Sequence, residues 1–215
     1  MRAAPIDLVT VSREFGAGGS EFARVLGERL GWPVLDHALV ARVAERLELE
    51  PAVVARLDEH PPTRLSRIAA ALLISPPELP ASHLAAAHAP LGPDDVAGAA
   101  RAVIAEAVRT PPLVVVGHGT QCAYADRPGS LHVRLNAPLA VRARYLAPRL
   151  GCDAAAAEAA ARRVDDARGR YVRRYYQRDW RDPLLYDVQF NTGRVPVELA
   201  AGLVAAAVRG SAGAA

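Results

Sequence analysis

At 215 residues, with 51% hydrophobic and 23% charged residues, the chain can bury one full core, which excludes a disordered or fibrous class. A net charge of +3 and a pI near 9.2 are too slight an excess to argue for nucleic-acid binding. No apolar run approaches the ~20 residues that span a bilayer, and no signal core precedes Asp7, so a cytoplasmic protein without a membrane partner is expected. Cys122 and Cys152 stand alone without metal-ligand spacing and read as free thiols.

The segment Ile6–Leu30 reads as strand, glycine loop and helix. Ile6, Leu8, Val9 and Val11 form the nearly continuous apolar run of a buried parallel strand. Gly16, Gly18 and Gly19 allow a tight turn that exposes backbone N–H groups. Phe22, Leu26 and Leu30 then recur at helical spacing, and Gly31 stops the helix. Unpaired amides and the positive end of the helix dipole converge at such a junction, which makes it an anion site.

The phosphate-loop pattern G-x-x-x-x-G-K-[ST] fits with two substitutions. With Gly18 and Ser20 on its last glycine and hydroxyl positions, Arg13 stands at the first glycine and Gly19 where lysine belongs. All 26 basic residues of the chain are arginine, so a cation meeting phosphate here is a guanidinium or a metal. Arg13, at the lip of the loop, is the nearest. A ligand-free strand-to-helix turn is the alternative, disfavoured by the strand before, the helix after and the placement of Ser20.

Further along, Pro33–Leu35 is a short strand ending at Asp36, and Leu39, Val40, Val43 and Leu47 recur at helical spacing. Residues 50–95 are broken by prolines and read as an inserted helical subdomain. Asp94 or Asp95 caps a helix to about Arg109. Strands are expected at Leu113–Val116, Leu131–Leu135 and Tyr186–Phe190. Helices are expected after Pro138, from Gly151 to about Tyr176, and from Pro196 to Val208, with the last seven residues frayed. Alternating strands and helices imply an α/β domain, a parallel sheet with helices on both faces and ligands at the strand C-termini.

In the helix around 158–176, Val164, Ala167, Tyr171 and Tyr175 share the expected core stripe. Arg162, Arg163, Asp166, Arg170, Arg173 and Arg174 gather opposite, with Asp166 and Arg170 at i,i+4 pairing distance. So many arginines repel one another unless an anion is present, and their forks suit phosphate oxygens. A solvated surface face is the plainer reading, and a mobile clamp over a triphosphate the functional one.

The stretches VTVSREFGAGGSEFARVLGERLGWPVLDHALV, PPLVVVGHGTQCAYADRPGSLHVRLNAPLAVR and YDVQFNTGRVPVELA resemble the cytidylate kinase-like family of P-loop nucleoside monophosphate kinases. The resemblance implies a three-layer P-loop fold with a five-stranded parallel sheet. It makes residues 1–215 one kinase-like domain, with 50–95 an acceptor-binding insertion and 150–182 an arginine-rich lid region. It also implies transfer of the γ-phosphoryl of ATP to CMP or dCMP, with Mg²⁺. Ser12, Gly16, Ala17, Gly18, Gly19, Ser20 and Glu21 would hold the nucleotide, with the Ser20 hydroxyl on the metal. Arg13 and the lid arginines Arg163, Arg170, Arg173 and Arg174 would carry catalysis. Asp36, Arg42 and His118 match acceptor-binding positions, His118 standing where the family has arginine; Asp182 and Asp187 would orient lid or nucleoside groups unless Asp182-Pro183 is simply a turn. Small-molecule nucleotides are the expected partners. The rival readings are a nucleotide-binding or regulatory protein with weak chemistry, and a kinase for another small acceptor.

Overall fold

The computed structural model describes residues 4–36 and 93–213. The chain divides into two compact units, residues 1–34 with 111–215, and residues 35–110. In chain order the described elements are β1 (Leu8–Arg13), α1 (Gly19–Leu30), β2 (Val34–Leu35), α2 (Pro93–Val108), β3 (Leu113–Val116) and α3 (Thr120–Ala123). They continue with β4 (Ser130–Asn136), α4 (Leu139–Leu150), α5 (Ala154–Tyr176), a 3₁₀ turn (Pro183–Leu185), β5 (Val188–Asn191) and α6 (Val197–Gly213).

The strands form one sheet in the order β2-β3-β1-β4-β5. β1 is central and runs parallel to β3 and β4, and β5 runs parallel to β4. The two sides of the sheet differ in chemistry. Val9, Val11, Val114, Val116, Val133 and Leu135 form one side, packed with Phe22 and Leu26 of α1 and with Ala201, Val204 and Val208 of α6. Each large side chain buried there, such as Phe22 or Leu26, contributes about 1.5–3 kcal/mol. On the other side Thr10 and Ser12 stand in register with His132 and Arg134, all four buried.

Local signals set the ends of the helices. Gly31 closes α1 and Gly151 closes α4 with φ of 69° and 63°, left-handed values that glycine adopts without a Cβ penalty. Asp153 then caps α5, accepting from the Ala156 amide at 2.7 Å. The region expected as one helix from Gly151 therefore starts at Ala154, three residues after the stop. α6 runs to Gly213, where a frayed tail was expected from Arg209. Ser211 accounts for the extension: its Oγ donates to the Val208 carbonyl at 2.7 Å and accepts from the Ile6 amide at 2.9 Å.

In the second unit α2 covers the helix expected after residue 94, burying Ala97, Ala100, Val103 and Ile104 along one side. Arg42, the helix carrying Leu39 to Leu47 and the proline-broken insertion up to residue 92 lie outside the described residues.

Candidate active site

The loop between β1 and α1 is shaped by two left-handed glycines, Gly16 at φ 81° and Gly18 at φ 80°. Neither has room for a side chain. A Cβ on Gly16 would sit 2.9 Å from Leu146 of α4, and one on Gly18 would sit 2.8 Å from Val197 of α6. Gly18 is the N-cap of α1 and makes no side-chain cap bond. The Ala17 amide returns to the Glu14 carbonyl at 3.1 Å, and the Phe22 amide to Gly18 at 2.9 Å. The first-turn amides of Gly19, Ser20 and Glu21 have no intrahelical acceptor, and among the described residues no protein acceptor meets them. Ser20 and Glu21 are exposed there, while Ala17 and Gly19 are buried. The Glu21 carboxylate suits the helix dipole but would oppose a bound anion, so its amide is what the site offers.

The base of the loop is held by charged groups that sequence reasoning missed. Asp165 of α5 is only 6% exposed. Its Oδ1 accepts from the Phe15 amide at 2.8 Å, and its Oδ2 accepts from Arg142 Nη1 at 2.7 Å. The same Arg142 nitrogen donates to the Phe15 carbonyl at 3.0 Å, and Arg142 Nε donates to the Ala137 carbonyl at 2.9 Å. Glu14 adds a second carboxylate, 3.4 Å from Arg142 Nε and 3.9 Å from Arg134, and accepts from the Ala137 amide at 3.2 Å. Arg168, one turn beyond Asp165, donates to the Arg13 carbonyl at 3.0 Å. The Phe15 ring is buried among Ala143, Leu146, Ala157 and Ala161.

The buried stripe of α5 is therefore Ala157, Ala161, Asp165 and Val172, with Arg168 partly buried beside it. The stripe expected through Val164, Ala167, Tyr171 and Tyr175 is rotated from it: Ala167 is exposed and the other three are half-buried. The physical reason is that Asp165 and Arg168 are needed inside as loop partners, and a hydrophobicity pattern reads charged residues as outward. Arg163, Arg170, Arg173 and Arg174 are all exposed on α5, as their pattern implied. Asp166 pairs with Arg181 at 3.4 Å, so the pair expected with Arg170 is not the one formed. Distance along the chain could not reveal that Arg181 returns to the helix after the left-handed stop at Gln177.

Ser12 is turned away from the loop. Trp180 Nε1 donates to its Oγ at 2.9 Å, and Tyr186 Oη lies 3.3 Å from it. Arg134 stacks 4.4 Å from the Trp180 ring centre and donates to the Trp180 carbonyl and to Tyr186 Oη. This cluster pins the chain that leaves α5 to β1 and β4. Burial raises the Tyr186 phenol above its usual range, against the nearby Ser12 and Arg134, so it stays a neutral hydrogen-bonding group.

Arg13 ends β1, is 9% exposed, and lies inside the site rather than at its lip. Its stem passes the Cα of Gly19, and its Nη1 reaches Gly117 beyond the end of β3. Gly117, His118 and Gly119 all take left-handed φ, at 82°, 58° and 70°. His118 is an uncommon non-glycine residue in that region, and its carbonyl accepts from Tyr176 Oη at 3.0 Å. Asp36 directly follows β2. Asp182 caps the 3₁₀ turn through the Leu184 amide at 2.9 Å, and Asp187 accepts from the His132 amide at 2.7 Å. Structural roles thus occupy both carboxylates.

A strand, a two-glycine turn, a helix N-terminus with open amides and arginines on a neighbouring helix make a phosphate-binding arrangement at the C-terminal end of a parallel sheet. Over residues 8–194 the chain also matches the model of one family, described as the cytidylate kinase-like family. The chain belongs to the cytidylate kinase-like family. Its fold is that of P-loop kinases. A protein of uncharacterised function from Eubacterium ventriosum ATCC 27560 is similar at a TM-score of 0.67 and 18% identity, over 94% of this chain and 98% of that one. Shikimate kinase from Bacteroides thetaiotaomicron is similar at 0.54 and 14%, over 96% and 99%. Shikimate kinase from Acinetobacter baumannii, solved with shikimate, is similar at 0.51 and 14%, over 95% and 94%. No curated protein matches the chain. Among the described residues no helix is long and apolar enough to cross a membrane, and no group of three His, Cys, Asp or Glu side chains could hold a metal.

That donor set bears on Mg²⁺. The ion keeps several waters and takes one or two protein ligands together with substrate phosphates. An exposed Ser20 hydroxyl in the first turn of α1 fits such a partial shell, and a cage of carboxylates is not needed.

Proposed function

We propose that this protein is a cytidylate-type nucleoside monophosphate kinase that moves the γ-phosphoryl group of ATP to CMP or dCMP. The observation that carries the reading is the pair of left-handed glycines opening onto first-turn amides that meet no protein acceptor among the described residues. Those amides would hold the polyphosphate, and Ser20 would be the protein ligand of Mg²⁺. The ion, when bound, supplies positive charge between the phosphates. Arg163, Arg170, Arg173 and Arg174 would close over the transferring group, neutralising its oxygens and excluding water, while Asp36, Arg42 and His118 would receive the acceptor. Catalysis is then positioning and charge stabilisation without a covalent intermediate.

Three features favour a second reading, in which nucleotide is bound but chemistry is weak or directed at another small acceptor. Glycine replaces the loop lysine, histidine replaces the acceptor arginine, and the Phe15 amide is already committed to Asp165. A fold shared with shikimate kinases adds hydroxylated carbon acids to the acceptors worth testing.

The test is ADP release with ATP and Mg²⁺ across CMP, dCMP, UMP, AMP, shikimate and simple alcohols. Turnover confined to CMP and dCMP is expected. Turnover with a hydroxy acid alone would move the protein to the second reading, and ATP binding without ADP release in any arm would remove the kinase assignment.

A further inference from the structure

Gly19 is the first residue of α1 and is not among the glycines with left-handed φ. Its backbone therefore gives no reason for glycine, which in a helix is about 1 kcal/mol less favourable than alanine. The reason is a neighbour. A Cβ on Gly19 would lie 2.5 Å from Cγ of Arg13 and 2.8 Å from its Cβ. The Arg13 Cβ is fixed by the backbone at the end of β1, so no rotation of the arginine relieves that contact.

Beyond the stem the guanidinium runs on to Gly117, where a Cβ would collide with Nη1. β1 and β3 are neighbouring parallel strands, so Arg13 crosses the crevice at their C-terminal ends, in front of the first turn of α1. That crevice is where an open α/β sheet places its ligands. In a loop carrying G-K-[ST], position 19 holds the lysine that reaches the β- and γ-phosphates.

We propose that the phosphate-loop cation has moved from position 19 to position 13, and that Arg13 and Gly19 form one interdependent unit. The inference rests on the nucleotide reading of the loop and adds which residue holds the phosphates and why its neighbour is glycine. Arginine changes the contact as well as its origin. A planar fork can bridge two phosphate oxygens with parallel hydrogen bonds, where lysine offers a point charge.

Titration calorimetry with ATP and Mg²⁺, together with thermal unfolding, tests this on four variants. Arg13→Gln keeps the stem against Gly19 and removes the charge; it should bind ATP at least about tenfold more weakly. Gly19→Lys alone should lose both stability and ATP affinity, because two side chains claim one path. Arg13→Ala with Gly19→Lys should unfold above Gly19→Lys and bind ATP at least about tenfold more tightly than Arg13→Ala. Native affinity in Arg13→Gln, native behaviour in Gly19→Lys, or a double variant no tighter than Arg13→Ala would each overturn the proposal. If the double variant does not fold, Arg13→Gln decides alone. Absence of heat with the native protein would instead overturn the nucleotide reading itself.

Discussion

Asp165 is a carboxylate in the interior, and its two oxygens meet a loop amide and a guanidinium. Replacing it by asparagine keeps the shape and an acceptor for Phe15 but leaves Arg142 buried with less compensating charge. Removing one partner of such a pair costs about 3 kcal/mol, the lower end of the usual range, because Glu14 remains 3.4 Å from Arg142. Asp165→Asn should therefore lower the unfolding midpoint by roughly 6–12 °C, followed by circular dichroism. An unchanged midpoint would mean that the loop base is held by Glu14 without help from α5. Cys122 presents the opposite case. Burial pushes its thiol up to about 11, against the pull of Arg178, so it stays protonated at neutral pH and should react slowly with iodoacetamide in the folded protein. Alkylation as fast as that of a free thiol would contradict its burial.

At the scale of elements, α5 has two charged sides with different work. Asp165 and Arg168 face the loop, whereas Arg163, Arg170 and Arg173 are exposed. Exposed side chains away from caps and pairs change stability by about 0.5 kcal/mol or less. Arg170→Ala and Arg173→Ala should accordingly unfold like the native protein while ADP release falls by about tenfold or more, if they stabilise transferring charge. Native turnover in both would return that side of α5 to the solvated face that charge runs usually form. The cap of α5 is a separate matter. Asp153→Ala should cost about 1 kcal/mol through loss of the bond to the Ala156 amide, read as a shift in the urea midpoint with turnover kept.

At the scale of the molecule, one side of the sheet packs a continuous apolar core, while the other buries Thr10, Ser12, His132 and Arg134 beside Leu8, Leu113 and Val115, and its histidine responds to pH. Burial holds the His132 imidazole below its ordinary 6.5, against the raising influence of Asp187. The unfolded chain therefore binds more protons than the folded one just below pH 6.5. The stability carried by neutral His132 is complete above 6.5 and is lost as pH falls from there through the lower folded value. Unfolding midpoints should drop between pH 7 and pH 5, and His132→Gln should flatten that drop. An equally steep drop in the variant would assign it to other groups.

The strand and helix signals were legible in the chain because they are local. Apolar runs gave β1 and β3, Gly31 gave the end of α1, and the glycines before Ser20 gave the anion loop, since backbone geometry and periodicity depend on near neighbours. Four features depended on the tertiary structure. They are the inward turn of Ser12 toward Trp180, the position of Arg13 across Gly19, the buried Asp165–Arg142 pair, and the extension of α6 through Ser211. Three of them join residues far apart in the chain, and the fourth, Arg13 beside Gly19, is fixed by the direction of a side chain that runs on to the distant Gly117. Local pattern determines where the chain bends and which amides it opens, while packing decides which charges are brought inside to hold that bend.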